Sequence, residues 1–188
     1  MPLPPASRLK SCKSWVGDLH FSGAKPLERL TSNYTLQMER TMIRMEIKTR
    51  VLPADEAGVA EAAQLLRQGQ LVALPTETVY GIAADARNGA AVRNIFIAKG
   101  RPQDNPLIVH VTGPEMLPGL VSEVPERAQL LMAAFCPGPL TIIMPRGPEV
   151  ADECCAGLDT VGIRMPSHPV ARAVIQQSGC AFAAPSAN

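Results

Sequence analysis

The chain has 188 residues, of which 46% are hydrophobic and 19% charged, and its 18 basic and 17 acidic side chains nearly cancel. This composition is too apolar for a disordered chain, and no apolar run approaches the roughly 20 residues of a membrane-spanning helix. The length suits one compact domain rather than two large ones.

The first 44 residues show no sustained hydrophobic period. Four prolines among scattered serines and basic residues predict an irregular or disordered leader over residues 1–44. The first seventeen residues contain no acid, which fits a transit peptide. The alternative is an upstream extension, with the domain beginning at Met42 or Met45. We expect the folded domain to span residues 45–188.

From residue 46 onward, predicted strands and helices alternate along the chain. The predicted strands are residues 46–52, 71–74, 106–111, 140–144, 160–165 and 181–184. The first predicted helix is capped by Asp55 and ended by Gly69, and the later ones cover residues 90–98, 126–135 and 170–177. This alternation predicts an α/β domain whose sheet is covered by helices.

Four of the predicted strands end in a proline followed by a polar or charged residue. Proline cannot donate to a strand ladder, so these prolines stop the strands and fix the path of the chain beyond them. Ligands of open α/β sheets bind in the crevice beyond strand ends. The polar residues either line such a crevice or face water. The prolines are Pro75, Pro145, Pro166 and Pro185.

The cysteines and histidines show no metal-binding pattern. The five cysteines include no CxxC pair, and the three histidines fall in no metal-ligand spacing. Adjacent Cys154 and Cys155 are interpreted as two reduced thiols, which favours a reducing, cytosol-like compartment.

Three polar segments could carry chemistry. Residues 75–81 place two threonines, a carboxylate and a tyrosine directly after a buried strand. The segment is either a pocket for a small polar molecule or an ordinary turn. Lys99 and Arg101 flank a glycine at a helix end, where they either complement the helix dipole or hold a polyphosphate. No GxxxxGK[ST] or GxGxxG motif is present. Ser186 and Asn188 lie on one face after the last strand or form a turn.

Two single residues lie at or near strand ends. His110 ends a strand, where a histidine is usually structural. Arg164 lies inside the apolar run of residues 161–165, and a buried arginine needs a partner, either a protein carboxylate or a ligand.

Taken together, five motifs resemble those of the YrdC-like threonylcarbamoyl-adenylate synthase family in order and spacing: PTETVYG, AKGRP with NPLIVHV, PGPLT, AGLDTVGIRMPSHP and AAPSAN. The resemblance covers roughly residues 46–188 and includes the Lys-x-Arg and Ser-x-Asn signatures of the family. It implies a twisted, mixed α/β sheet flanked by helices around a concave substrate groove. Because family members continue beyond the Ser-x-Asn motif, we expect this domain to be truncated at its C-terminus.

The resemblance also implies an activity. Family members are nucleotidyltransferases that make threonylcarbamoyl-AMP and pyrophosphate from L-threonine, bicarbonate or CO2, and ATP, with Mg²⁺ expected beside the ATP. The product serves the modification of tRNA adenosine beside the anticodon. The implied partners are tRNA or double-stranded RNA and the tRNA threonylcarbamoyl-transferase machinery as product acceptor. The implied location is the cytoplasm, away from membranes.

The resemblance implies roles for ten residues, and no general base or protein metal ligand is assigned. The implied threonine-binding residues are Thr78, His110, Arg164 and Ala184. The implied ATP-binding residues are Lys99, Arg101, Asn105, Thr160, Ser186 and Asn188.

Two other functions share this kind of domain. One is a non-catalytic module that binds double-stranded RNA or tRNA. The nine basic against thirteen acidic side chains of residues 51–188 disfavour it, because binding to the phosphate backbone scales with the cations engaged. The other is a carbamoyltransferase that uses carbamoyl-adenylate, a class that carries accessory acylphosphatase and zinc-finger segments.

Overall fold

The structure is a computed structural model that describes residues 49–187. The predicted leader over residues 1–44 and the predicted ATP-binding residue Asn188 lie outside the described residues. From Arg50 onward the chain forms one unit.

The described residues form a six-stranded sheet with helices on both faces. The strands are β1 (Val72–Pro75), β2 (Tyr80–Asp85), β3 (Ile108–His110), β4 (Thr141–Pro145), β5 (Thr160–Arg164) and β6 (Phe182–Ala183). The helices are α1 (Glu56–Arg67), α2 (Gly89–Lys99), α3 (Glu126–Phe135), α4 (Asp152–Cys155) and α5 (Pro169–Ser178), with a short 3-10 turn at Pro114–Met116.

Most predicted elements are confirmed, with shifts of one or two residues at their ends. The helix predicted over residues 126–135 has those bounds in α3. Strand β2 and helix α4 are additions that the sequence did not predict, because alanines and glycine dominate β2 and α4 has only four residues. The strand predicted over residues 46–52 is wrong where it is described: residues 49–52 form no strand, and Val51 is 95% exposed.

Helix α1 begins and ends at the residues that the sequence indicates. The Asp55 carboxylate accepts a hydrogen bond from the Gly58 N–H (2.9 Å), which satisfies one of the unpaired donors at the helix start. Gly69 follows the helix in the left-handed region (φ 73°), a conformation that glycine adopts at little cost. The apolar stripe of Val59, Ala63 and Leu66 is buried as predicted.

The strands lie in the order β1–β2–β6–β3–β5–β4. Among the described strands, only the β3–β5 pair is parallel, and the other four pairs are antiparallel. The sheet is therefore mixed, as expected. Because β4 runs opposite to β5, Pro145 lies beside Thr160 at the start of β5, whereas Pro166 follows the other end of β5. The strand-ending prolines thus do not all lie at the same end of the strands in the sheet.

Two hydrophobic clusters lie on opposite faces of the sheet. Helices α1 and α5 pack on each other and on β1, β2 and β6, around Phe182. Helices α2, α3 and α4 cover the other face, where Val161 and Ile163 of β5 are buried. On the face that bears α1 and α5, Thr160, Gly162 and Arg164 alternate with these buried residues and are only half-buried, and the neighbouring Ile143 of β4 is 72% exposed. Within residues 49–187, the β5–β4 half of this face is thus only partly covered.

The described cysteines, Cys154 and Cys155 among them, are all free thiols. Burial raises the pKa of Cys154 to about 12, so this thiol stays protonated at neutral pH. No helix among residues 49–187 has both the length and the apolar character needed to cross a membrane.

The packing of α1 predicts a large difference between two chemically identical substitutions. Leu66 is fully buried, whereas Leu130 of α3 is 66% exposed. We expect Leu66→Ala to lower the free energy of unfolding by about 3 to 5 kcal/mol, and Leu130→Ala to change it by less than about 0.5 kcal/mol. Urea titrations of both variants measure the difference. Equal losses would contradict the described core.

Candidate active-site cleft

A cleft of about 280 Å³ lies at the ends of β3 and β5. Its walls come from the β1–β2 connection, the entry and end of β3, the end of β5 and the segment after β6. The lining residues are Thr76, Thr78, Val79, Gly81, Arg101, Pro106, Leu107, Ile108, His110, Arg164, Ala184, Pro185 and Ser186. Six of the ten predicted site residues are among them.

The β1–β2 connection is a turn that its own first threonine closes. The Thr76 hydroxyl donates to the Val79 carbonyl (2.6 Å) and accepts from the N–H groups of Thr78 (3.3 Å) and Val79 (3.2 Å). A threonine hydroxyl that bonds nearby backbone in this way fixes the turn. Both readings of residues 75–81 therefore hold, because the segment is a turn and it also lines the cleft.

The turn presents Glu77 and Thr78 to Arg164, 87 and 86 residues further along the chain. Glu77 Oε1 accepts from Arg164 Nε (3.1 Å) and from Arg164 Nη2, and Thr78 Oγ1 lies 3.1 Å from the same Nη2. The two charged side chains are 11% and 17% exposed. The protein itself thus supplies a carboxylate partner for this arginine.

The contacts of Glu77 stabilise the charged form of its carboxyl group. Burial alone would raise the pKa of this carboxyl, but its hydrogen bond and charge interaction with Arg164 hold the pKa below the usual value. The second oxygen, Oε2, accepts from the Ser167 N–H (3.2 Å). Glu77 therefore binds both the last residue of β5 and the loop that follows it.

His110 closes the inner wall of the cleft. It is 2% exposed, and its ring stacks on Phe182 with a centroid separation of 5.2 Å. Its Nδ1–H donates to the Ile108 carbonyl (3.1 Å). Burial lowers the pKa of His110 to about 4, and the positive charge of Arg164 acts in the same direction. His110 is therefore uncharged at neutral pH.

Two cations, Lys99 and Arg101, lie at the end of α2. Lys99 is the last helical residue, and Gly100 turns the chain with φ 57°. Lys99 Nζ donates to the Ser186 carbonyl (2.5 Å), which ties the helix end to the segment after β6. Arg101 lines the cleft, and its Nε is buried with no hydrogen-bond partner among residues 49–187. An orphaned guanidinium nitrogen beside a cleft is suited to an anionic ligand.

Three predicted residues do not line the cleft. Asn105 is exposed, next to the lining residue Pro106. Thr160 lies at the opposite end of β5 from Arg164, although the two-residue period of a strand puts both on its open face. Lys99 is not among the lining residues, although its Nζ donates to the carbonyl of the lining residue Ser186.

The structure adds a residue that sequence reasoning missed. Glu77 was seen as one polar residue among several, and nothing local marks it as the partner of Arg164. The available signal was the buried arginine itself, because an apolar strand that contains a guanidinium implies a carboxylate elsewhere.

Comparison with known proteins shows what the chain is similar to. Residues 64–188 match the model of the Sua5/YciO/YrdC family, described as "Telomere recombination". The threonylcarbamoyl-AMP synthase of Bacillus subtilis is 51% identical over 141 residues, and that of Pyrococcus abyssi is 49% identical over 134. A crystal structure of P. abyssi Sua5 complexed with L-threonine superposes with a TM-score of 0.70 at 48% identity, over 74% of this chain and 40% of that one.

The similarity covers most of this chain but less than half of these relatives. The alignments take in 74% and 71% of this chain, against 41% of the B. subtilis protein and 39% of the P. abyssi protein. The shared part contains every described residue that lines the cleft, because the family match begins at residue 64.

The burial of His110 predicts an acid-sensitive fold. Because the folded-state pKa of about 4 lies below the usual 6.5, the unfolded chain takes up the proton first as pH falls. We expect the free energy of unfolding to fall by about 2 kcal/mol more in the wild type than in His110→Gln between pH 7 and pH 5. Urea titrations at both pH values measure this difference, and parallel pH profiles would show that His110 is not responsible.

Proposed function

The chain belongs to the Sua5/YciO/YrdC family, and from that membership we propose that it makes threonylcarbamoyl-AMP. The substrates are L-threonine, bicarbonate or CO2, and ATP, and pyrophosphate is released. The observation that carries the proposal is one cleft that joins a fixed, buried Arg164 to an Arg101 with an orphaned nitrogen. The likeness to a protein crystallised with L-threonine supports the choice of amino acid.

Threonine binds in this proposal at the inner end of the cleft. Its carboxylate accepts from Arg164, with Thr78, His110 and the main chain at Ala184 around it. An arginine is suited to this task because its guanidinium is planar and always charged. A neutral His110 adds no second positive charge beside it, so the amino group of threonine is not repelled.

ATP binds in this proposal on the side of Lys99, Arg101 and Ser186, with Asn105, Thr160 and Asn188 as further contacts. Lysine supplies a point charge and arginine a fork to the phosphates. Thr160 and Gly162 belong to the same open sheet face as Arg164, and this supports a nucleotide lying across β5. Because Gly162 has no side chain, the floor stays flat between the two polar residues.

The chemistry needs alignment more than a protein nucleophile. The threonine nitrogen attacks CO2 and loses a proton, which gives a carbamate. A carbamate oxygen then attacks the α-phosphorus of ATP, and the bond to the leaving pyrophosphate breaks. Positioning and charge neutralisation lower the barrier of such a displacement. No side chain is assigned as general base.

The proposal includes Mg²⁺ bound with the triphosphate. Among residues 49–187 no three His, Cys, Asp or Glu side chains converge so as to hold a metal ion. Phosphate oxygens and water are therefore the ligands we propose, and the ion would neutralise phosphate charge when bound. The proposal also includes the cytoplasm as location and the tRNA threonylcarbamoyl-transferase machinery as acceptor of the product.

The activity is tested by leaving out one substrate at a time. The 188-residue chain is incubated with ATP, Mg²⁺, bicarbonate and L-threonine, and pyrophosphate and the AMP ester are followed by coupled assay and mass spectrometry. We expect both products only when all substrates are present. Pyrophosphate release that does not depend on threonine would overturn the proposal.

The amino-acid side of the proposal predicts the effect of Arg164→Lys. Lysine keeps a positive charge beside Glu77 but loses the planar guanidinium, so we expect threonine affinity to fall at least about tenfold. Isothermal titration of L-threonine measures it. The matched control is Arg172→Lys, because Arg172 donates to the carbonyls of Thr112 and Pro166 and does not line the cleft. Unchanged affinity in Arg164→Lys would make Arg164 a purely structural residue.

The nucleotide side predicts that Arg101→Ala and Lys99→Ala lower kcat/KM for ATP by about tenfold or more, because phosphate charge is no longer neutralised in the transition state. Arg146→Ala is the control, since Arg146 pairs with Asp152 and lies outside the cleft lining. We expect a change of less than about twofold there. If Arg146→Ala were as damaging as Arg101→Ala, the phosphates would have to bind elsewhere. Steady-state assays with varied ATP make the comparison.

A further inference from the structure

Glu77 lies behind Arg164 and is not among the residues that line the cleft. We propose that Glu77 is the positioning residue of the site: it holds the Arg164 guanidinium in one orientation, so that only the nitrogen Nη1 is left for a ligand. The ligand named here, the carboxylate of an amino acid, rests on the proposed function. The positioning itself rests on the contacts of Glu77.

The first argument is the hydrogen-bond count of Arg164. A guanidinium has five N–H donors, of which Nε carries one and each terminal nitrogen carries two. Nε–H and one Nη2–H donate to Glu77 Oε1, and the other Nη2–H is within reach of Thr78 Oγ1. Within residues 49–187 no hydrogen bond reaches Nη1. A ligand carboxylate therefore meets Nη1 rather than the fork that two free nitrogens would form.

The second argument is that Glu77 is itself held from two sides. Its backbone lies in the turn that the Thr76 hydroxyl closes, and its Oε2 accepts from the Ser167 N–H. Both carboxylate oxygens are therefore fixed, one by the guanidinium and one by the backbone. A carboxylate that cannot turn holds a long, flexible arginine side chain in one rotamer, which lowers the entropy cost of ligand binding.

The third argument is charge. Arg164 and Glu77 together have no net charge, and their side chains are nearly buried. A ligand that is itself neutral overall but ends in a carboxylate, as an amino-acid zwitterion does, can bind Nη1 without burying a net charge. Without the negative charge of Glu77 the same pocket would hold an uncompensated cation and would favour any small anion.

The test compares Glu77→Gln with wild type by isothermal titration of L-threonine. Glutamine keeps the size of the side chain and removes its charge, and we expect threonine binding to weaken about 10- to 100-fold. ATP affinity should stay within about twofold, because ATP is assigned to the other side of the cleft. Glu77→Asp, which keeps the charge on a shorter stem, should fall between the two. Glu149→Gln is the control, because Glu149 pairs with the exposed Arg87 away from the cleft.

A second measurement does not depend on threonine. In ¹⁵N NMR spectra the Arg164 Nε–H should give a resonance protected from exchange with water, which Arg164→Lys identifies by its loss. We expect Glu77→Gln to lose that protection and Glu149→Gln to keep it. If the resonance stays protected in Glu77→Gln, the positioning role is wrong.

The two measurements distinguish a failure of the positioning role of Glu77 from a failure of the proposed function. If wild type binds no threonine, the proposed function fails, and the Nε–H resonance still decides the role of Glu77. If wild type and Glu77→Gln bind threonine equally, the positioning role fails and the function stands. If the variant loses threonine and ATP affinity together, Glu77 only supports the fold, which also overturns the inference.

Discussion

The ion pair between Glu77 and Arg164 is the constraint on which the cleft depends. A guanidinium on an otherwise apolar strand is tolerated only with a partner, because an unpaired buried charge costs several kcal/mol. The partner comes from a turn 87 residues earlier, so meeting that need also draws the β1–β2 connection to the end of β5. The turn brings Thr78 and Val79 with it, and together they form one wall of the cleft. The arginine that binds ligand in our proposal thus also organises its own surroundings.

The cleft also depends on the fact that helices cover only half of one face of the sheet. Helices α1 and α5 pack around Phe182 and cover β1, β2 and β6, but they do not extend over β5 and β4. Residues that alternate with the buried core of β5 are therefore only partly buried, and they include both Arg164 and Thr160. Arg164 belongs both to this open face and to the cleft, whose other walls come from the β1–β2 connection, β3 and the segment after β6.

Much of this arrangement could be predicted from the sequence, and the rest could not for physical reasons. Helices with an apolar stripe and clear ends, such as α1 and α3, were found because both signals are local. Strand β2 was missed because its alanines and glycine carry little strand propensity, and only its pairing with β1 and β6 makes it a strand. The sequence predicted that Arg164 needs a partner. It could not identify Glu77 as that partner, because the pairing is set by how the chain folds back on itself.

Strand β6 has only two residues, Phe182–Ala183, and it is the last of the described strands along the chain. In the sheet, however, it lies third, between β2 and β3. The β1–β2 hairpin and the β3–β5–β4 group therefore keep unpaired inner edges until β6 has been synthesised and can pair with both. Open strand edges of this kind attract other chains. These two inner edges are closed only when β6 pairs with β2 on one side and with β3 on the other.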